Sequence, residues 1–227
     1  MPRQITGADL KWLAVLTMVA DHTAAVALAG VFPPELWWMR LLRLAGRIAF
    51  PLFCFLLVEG FTHTHSIRRY AARLAVFAVL SEIPFNLAIC GRVLCPAWNN
   101  IFCTLLLSLG MLYALERWHD RSLQVMALLA AGLLANLLCC DYGAAGVLTV
   151  SVLYLGRDNR WAFPAAVAVL ALVSGDLTEL AALAVTPLVW NYSGAPGRKW
   201  GGKYFFYAFY PLHLLMLTAV RQGLLLR

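Results

Sequence analysis

Charge is what this chain has least of. Of 227 residues only 13% are Asp, Glu, Lys or Arg, whereas 62% are apolar or aromatic, and the mean hydropathy is +0.76. A water-soluble globule must clothe itself in polar side chains, and 18 basic with 11 acidic residues are too few to do so over this length. Internal repeats, heptad seams and low-complexity tracts are also missing, which excludes solenoid and coiled-coil designs. The longest polar stretch, Ser193 to Lys203, is a Gly-rich basic loop rather than a soluble domain. Six cysteines (Cys54, Cys90, Cys95, Cys103, Cys139, Cys140) show no metal-ligand spacing, so no metal is expected. Four of them cluster near two proposed outer loops, where one disulfide can form; otherwise they serve as small apolar residues.

What is abundant is the long apolar run. A helix needs about 20 apolar residues to cross a bilayer. Nine runs approach that scale: Leu10 to Val31, Trp38 to Phe61, Tyr70 to Ile89, Ile101 to Leu115, Leu123 to Leu138, Gly143 to Leu155, Trp161 to Val173, Leu177 to Trp190 and Tyr204 to Leu224. Lipid is the solvent that such a chain fits, and in lipid only helices or closed barrels satisfy the backbone. The expected fold is an all-α, polytopic membrane bundle of about nine spans, one domain over residues 1–227. Met1 to Asp9 is polar and is followed by no small-residue cleavage pattern, so no removable signal peptide is expected.

The net charge of +7 does not point to nucleic acid, because the basic residues come as ones to threes between apolar runs. They alternate from side to side. Arg3, Lys11, Arg68, Arg69, Arg73, Arg117, Arg121, Arg157, Arg160, Arg198, Lys199 and Lys203 fall on one side; Arg92, Arg221 and Arg227 fall on the other. By the positive-inside rule the N-terminus is cytoplasmic, in a multi-pass protein of the inner (plasma) membrane. Arg40, Arg43 and Arg47 break the pattern. At spacings of three and four they share a helical face, either as an interfacial helix over Glu35 to Arg47 or as an inward stripe beside a water-filled cavity.

Ionisable groups inside a span cost a few kcal/mol or more and need a partner, a cavity or a job. Asp21 and His22 lie in the first run, Arg47 and Glu59 in the second, Arg73 and Glu82 in the third and His213 in the last. His22 is the natural general base, with Asp21 to orient a second group or to stabilise an imidazolium. The structural alternative is an Asp21 to Arg47 ion pair with His22 as filler. Pro51, one turn after Arg47, removes a backbone donor and loosens the helix there. His63 and His65 lack the carboxylate or cysteine company of a metal site. Arg68, Arg69 and Arg73, with Tyr70 among them, offer bidentate donors and an aromatic plate to a phosphorylated nucleotide such as coenzyme A; plain positive-inside anchoring fits them as well. Glu82 and Asn86 flank Pro84, and Asn99 or Asn100 either caps the fourth helix or donates to a substrate carbonyl. Asp141-Tyr142-Gly143 reads as a turn. Tyr210 and His213, beside Pro211, read as cavity residues.

The blocks Ala20-Asp21-His22, Gly46 to Gly60 with the Arg-rich turn, Ser81 to Asn86, Asn100 to Thr104, Asp141 to Val147 and Tyr210 to His213 resemble, in their order, the TraX family. Founding members of that family are described as acetylating the N-terminus of conjugative pilin. The family is also distantly similar to membrane acyltransferases that take an acyl group from a cytoplasmic coenzyme A thioester. That resemblance points to His22, Arg47 and the Arg68 to Arg73 turn. It implies acetyl-coenzyme A as donor, a membrane lipid environment, and an amine or hydroxyl acceptor on a peptide, pilin, lipid or glycan. A proton-coupled transporter and a non-catalytic pilus or secretion assembly factor are the alternatives.

Overall fold

The computed structural model describes residues 4–198 and 204–226; Arg3, Lys199, Lys203 and Arg227 lie outside them. The described residues are helical throughout, with isolated bridges and no strand. The elements are α1 (Gly7–His22), a π turn (Thr23–Ala27), α2 (Trp37–Gly46), α3 (Ala49–His63), α4 (Ile67–Cys90), α5 (Ile101–Arg117), α6 (Arg121–Leu137), α7 (Gly143–Leu155), α8 (Ala162–Ser174), a 3-10 segment (Leu177–Val185), α9 (Thr186–Trp190) and α10 (Phe205–Leu225).

Each apolar run coincides with a helical segment, and polar residues at the run edges set the boundaries. Thr6 and Asp9 form a reciprocal capping box on α1, with the Thr6 amide donating to the Asp9 carboxylate at 2.9 Å. Asn100 caps α5 and Asp120 caps α6. Gly91 ends α4 at φ +66°, a left-handed conformation that a residue with a Cβ adopts poorly. Three helical stretches are long and apolar enough to cross a membrane: Gly7–Ala27, Trp37–His63 and Ile67–Cys90. The exterior is apolar as well. Leu16, Val79, Leu129, Leu172 and Leu212 are each more than half exposed, the reverse of a soluble surface. The protein is a helical membrane protein.

Short connections between the apolar runs fold the chain back on itself, so that α4 packs on α5, α5 on α6, α6 on α7 and α7 on α8, and the bundle has two ends. At one end, called here the basic end, the Gly7 amide donates to the Ala195 carbonyl at 2.8 Å and the Trp190 indole donates to the Arg160 carbonyl at 2.6 Å. At the far end the Asp141 amide donates to the Asn99 carbonyl at 2.8 Å. Cys90 and Cys95 form a disulfide in the loop after α4.

The second run departs from expectation. It is two helices, because the chain turns at Arg47 and Ile48 before α3 begins at Ala49. Pro51 therefore does not loosen a continuous helix. It sits in the first turn of α3, where its missing N–H has no intrahelical partner to lose. The first run is also interrupted, by the π turn directly after His22.

Candidate functional site

A cavity of about 810 Å³ runs between the helices. Lys11, Thr64, Tyr70 and Arg73 line it at the basic end; Asp141, Ser174 and Asp176 line it at the far end. Between them the wall is largely apolar, with Phe50, Phe53, Leu57 and Phe102 prominent. Such a cavity is large enough for a substrate arm and has polar residues at both ends.

His22 lies on this wall, in the last turn of α1. Its Nδ1 is 2.7 Å from Nε2 of His213 in α10, and the two rings are nearly parallel at 13°. His213 is buried at 3% exposure, and its Nδ1 lies 2.9 Å from the Phe209 carbonyl. His22 thus pairs with His213, and Asp21, which the sequence offers as a group to stabilise its imidazolium, is not its hydrogen-bond partner. Adjacent residues on a helix point about 100° apart, and Asp21 faces α2 instead.

There one Arg43 guanidinium nitrogen donates to both Asp21 carboxylate oxygens, at 2.7 and 2.8 Å. Gly46 permits this approach: a Cβ at that position would overlap the Asp21 side chain. The expected Asp21 to Arg47 pair is not the one formed. The turn after α2 swings Arg47 toward the 3-10 segment, where it donates to Glu179 at 2.9 Å and lies 3.7 Å from Asp176. Glu179 is almost fully buried, and its Oε2 has no hydrogen-bond partner. Of the arginine stripe, Arg43 and Arg47 face the cavity, as the inward reading expects, and Arg40 is exposed.

At the far mouth Tyr142 stacks on Phe50, ring centroids 3.7 Å apart. Asp141 precedes it, and its carbonyl accepts from the Thr104 hydroxyl. Burial pushes the Asp141 carboxyl up to about 6, with Asp21 adding to the rise and Arg47 and Arg43 opposing it. Asp176 is held below its ordinary value by the Thr178 hydroxyl, which donates to it at 2.6 Å.

The Asp141 shift has a sign that can be checked. The folded state holds this proton more tightly than the unfolded chain, whose carboxyl titrates near 3.8. Stability is therefore lost as pH rises from about 4 through about 6. Asp141→Asn is expected to melt higher relative to the parent at pH 7 than at pH 4.5, measured by thermal unfolding in detergent.

Other sequence-derived candidates separate from the cavity. Arg68 and Arg69 face solvent, while Arg73 lines the mouth with its guanidinium 5.4 Å from the Tyr70 ring centroid. Asn100 is fully occupied: its amide donates to the Ala78 carbonyl and to Glu82 at 2.8 and 2.7 Å, and its oxygen caps Phe102. Asn100 and Glu82 therefore brace α4 against α5, and the Asn100 amide has no hydrogen left for a substrate carbonyl. The Asn86 amide donates to the Val93 carbonyl at 3.2 Å and holds the loop after α4. Glu59 lies off the cavity near His63, 3.9 Å away. Tyr210 does line it, against His22 at 6.1 Å between centroids. Sequence reasoning missed Glu179, Arg43 and Lys11 as site residues. Glu179 carried a usable signal, an acid inside an apolar run, the criterion that singled out Glu59 and Glu82.

A family model described as TraX protein matches residues 6–221. The chain belongs to the TraX family. It is also 29% identical over 239 residues to a protein of Dichelobacter nodosus named "Probable fimbrial assembly protein FimC, serogroup H1", with 95% of this chain and 96% of that protein covered. No solved structure matches.

Proposed function

We propose that this TraX-family protein is an integral membrane acyltransferase that moves an acetyl group from acetyl-coenzyme A to an amine or hydroxyl acceptor. The observation that carries the reading is His22. A histidine with one ring nitrogen held and the other left for a reactant stands on the wall of a passage that has a basic mouth at one end and a polar mouth at the other. Placement of the basic end in the cytoplasm is supported by Lys11, Arg68, Arg69, Arg73, Arg117, Arg121, Arg157, Arg160 and Arg198, and by a disulfide at the far end, a bond that persists in oxidising compartments. About nine crossings of an inner membrane fit the helix order.

The donor supplies an acyl carbonyl already activated as a thioester. Arg73 and Lys11, with Tyr70 between the mouth and the cavity wall, are the residues suited to hold its phosphates. His22 Nε2 removes the acceptor proton, the new N–C or O–C bond forms as the C–S bond breaks, and the proton passes from His22 to the leaving thiolate. Arg47, held by Glu179 and Asp176, supplies positive charge for the acyl oxygen as it becomes negative. No covalent enzyme intermediate is needed.

Arg73→Ala is expected to raise KM for acetyl-coenzyme A about tenfold or more with little change in kcat, the signature of lost ground-state binding. Arg68→Ala with Arg69→Ala should leave KM within about twofold, since both side chains are exposed and off the cavity wall, where salt screens their charge. Steady-state kinetics with purified protein in vesicles distinguishes the two. Equal effects of both changes would remove the donor mouth from this reading.

A second reading, a non-enzymatic assembly factor of a pilus, is favoured by the name of the Dichelobacter nodosus relative. It leaves the pairing of His22 with the buried His213 without work.

A further inference from the structure

The hydrogen bonds around His213 determine where the proton of His22 sits. The Phe209 carbonyl has no hydrogen to give, so the 2.9 Å contact requires that His213 Nδ1 carries the proton. A neutral ring protonated at Nδ1 has a bare Nε2, which can only accept. The 2.7 Å contact from that Nε2 to His22 Nδ1 then requires a proton on His22 Nδ1. With both rings neutral, a single arrangement satisfies both contacts: Phe209 carbonyl, His213, then His22, each link donating toward the carbonyl. Its consequence is a lone pair on His22 Nε2, the nitrogen that makes no hydrogen bond among the described residues. A charged His213 would reverse the second link, but it is buried at 3% exposure and no carboxylate is paired with it among the described residues. An unpaired buried charge is costly.

We propose that His213 is a positioning residue that fixes His22 in its Nδ1-protonated tautomer and presents the basic Nε2 to the cavity. This rests on the reading of His22 as the base of an acyl transfer. His213 itself does not line the cavity, so it acts on the reaction only through His22. The arrangement is built from far-apart segments: the π turn that follows His22 packs on α10, and Phe209 supports the His213 ring from one turn away, centroids 5.2 Å apart. A carboxylate partner for His22 is unnecessary; the backbone carbonyl of Phe209 sets the tautomer two links away.

The test uses the full chain in vesicles, with the exposed His63, His65 and His119 changed to Gln so that two histidines remain. Nitrogen-15 NMR of labelled histidine should show both rings neutral and protonated at Nδ1, with a coupling across the hydrogen bond between His22 Nδ1 and His213 Nε2. A His22 signal protonated at Nε2 would overturn the proposal whether or not the protein transfers acetyl groups. In kinetics, His213→Ala should lower kcat about 100-fold, the scale of a misplaced general base, with KM for acetyl-coenzyme A within about twofold. His213→Gln, whose amide oxygen can accept from His22 Nδ1, should recover at least about tenfold of that loss and keep the His22 tautomer. A His213→Ala protein with kcat within about twofold of the parent would contradict the proposal. So would a His213→Gln protein that stays folded and keeps the tautomer but recovers nothing.

Discussion

Replacing His22 with alanine is expected to lower acetyl transfer by about 10²- to 10⁴-fold, the usual contribution of a positioned general base. The loss should fall on kcat, because the residues suited to hold the donor phosphates lie at the basic mouth and are untouched. The variant should still fold. His22 lies at a partly exposed position on the cavity wall, and its removal leaves the Asp21 to Arg43 and Arg47 to Glu179 pairs in place. The check is the single-turnover rate in vesicles beside the thermal melting curve. A variant with normal melting and an unchanged rate would take His22 out of the mechanism.

The second large effect is on stability and concerns Arg47. Its guanidinium is the partner of the Glu179 carboxylate, whose side chain is 2% exposed and whose second oxygen is already without a partner. Arg47→Met leaves that carboxylate buried and alone, and breaking a buried pair in this way costs about 3–5 kcal/mol. For a protein of this size that corresponds to a melting temperature lower by roughly 10 °C. Adding Glu179→Gln to Arg47→Met should recover most of the loss, because a neutral amide removes the stranded charge. If Arg47→Met melts within about 2 °C of the parent, the pair is not a structural element of the site. If the double variant melts no higher than Arg47→Met alone, a stranded carboxylate is not what destabilises it.

Much of the bundle can be read in the sequence because lipid imposes a simple rule. Apolar runs become helices, and Thr6, Asn100, Asp120 and Gly91 mark their ends. The same rule picks out Asp21, His22, Arg47 and His213 as residues that need a reason to be there. Their partners could not be read in the same way. His22 and His213 are 191 positions apart, and no periodicity connects them. An ion pair of Asp21 with Arg47 is one of the two readings the sequence allows; in the structure Arg43 lies opposite Asp21, and Arg47 pairs with Glu179. The windings that deliver these residues, a π turn after His22 and a nine-residue 3-10 segment carrying Glu179, have no sequence signature. Of the arginine turn, Arg73 reaches the cavity from α4, whereas Arg68 and Arg69, in the first turn of the same helix, are exposed and do not line it.

The Dichelobacter nodosus relative is named a probable fimbrial assembly protein, and the proposed acyl transfer and an assembly role predict different results. The geometry favours chemistry, because an assembly scaffold has no use for an oriented histidine inside a passage with a basic mouth. A direct measurement is the fate of labelled acetyl-coenzyme A given to the purified protein in vesicles together with membrane material from its native host. The acyltransferase account predicts that label moves to a membrane component while free coenzyme A thiol appears in equal amount, and that His22→Ala abolishes both. Binding of a pilus subunit with no thiol release above that of the heat-inactivated protein would contradict it.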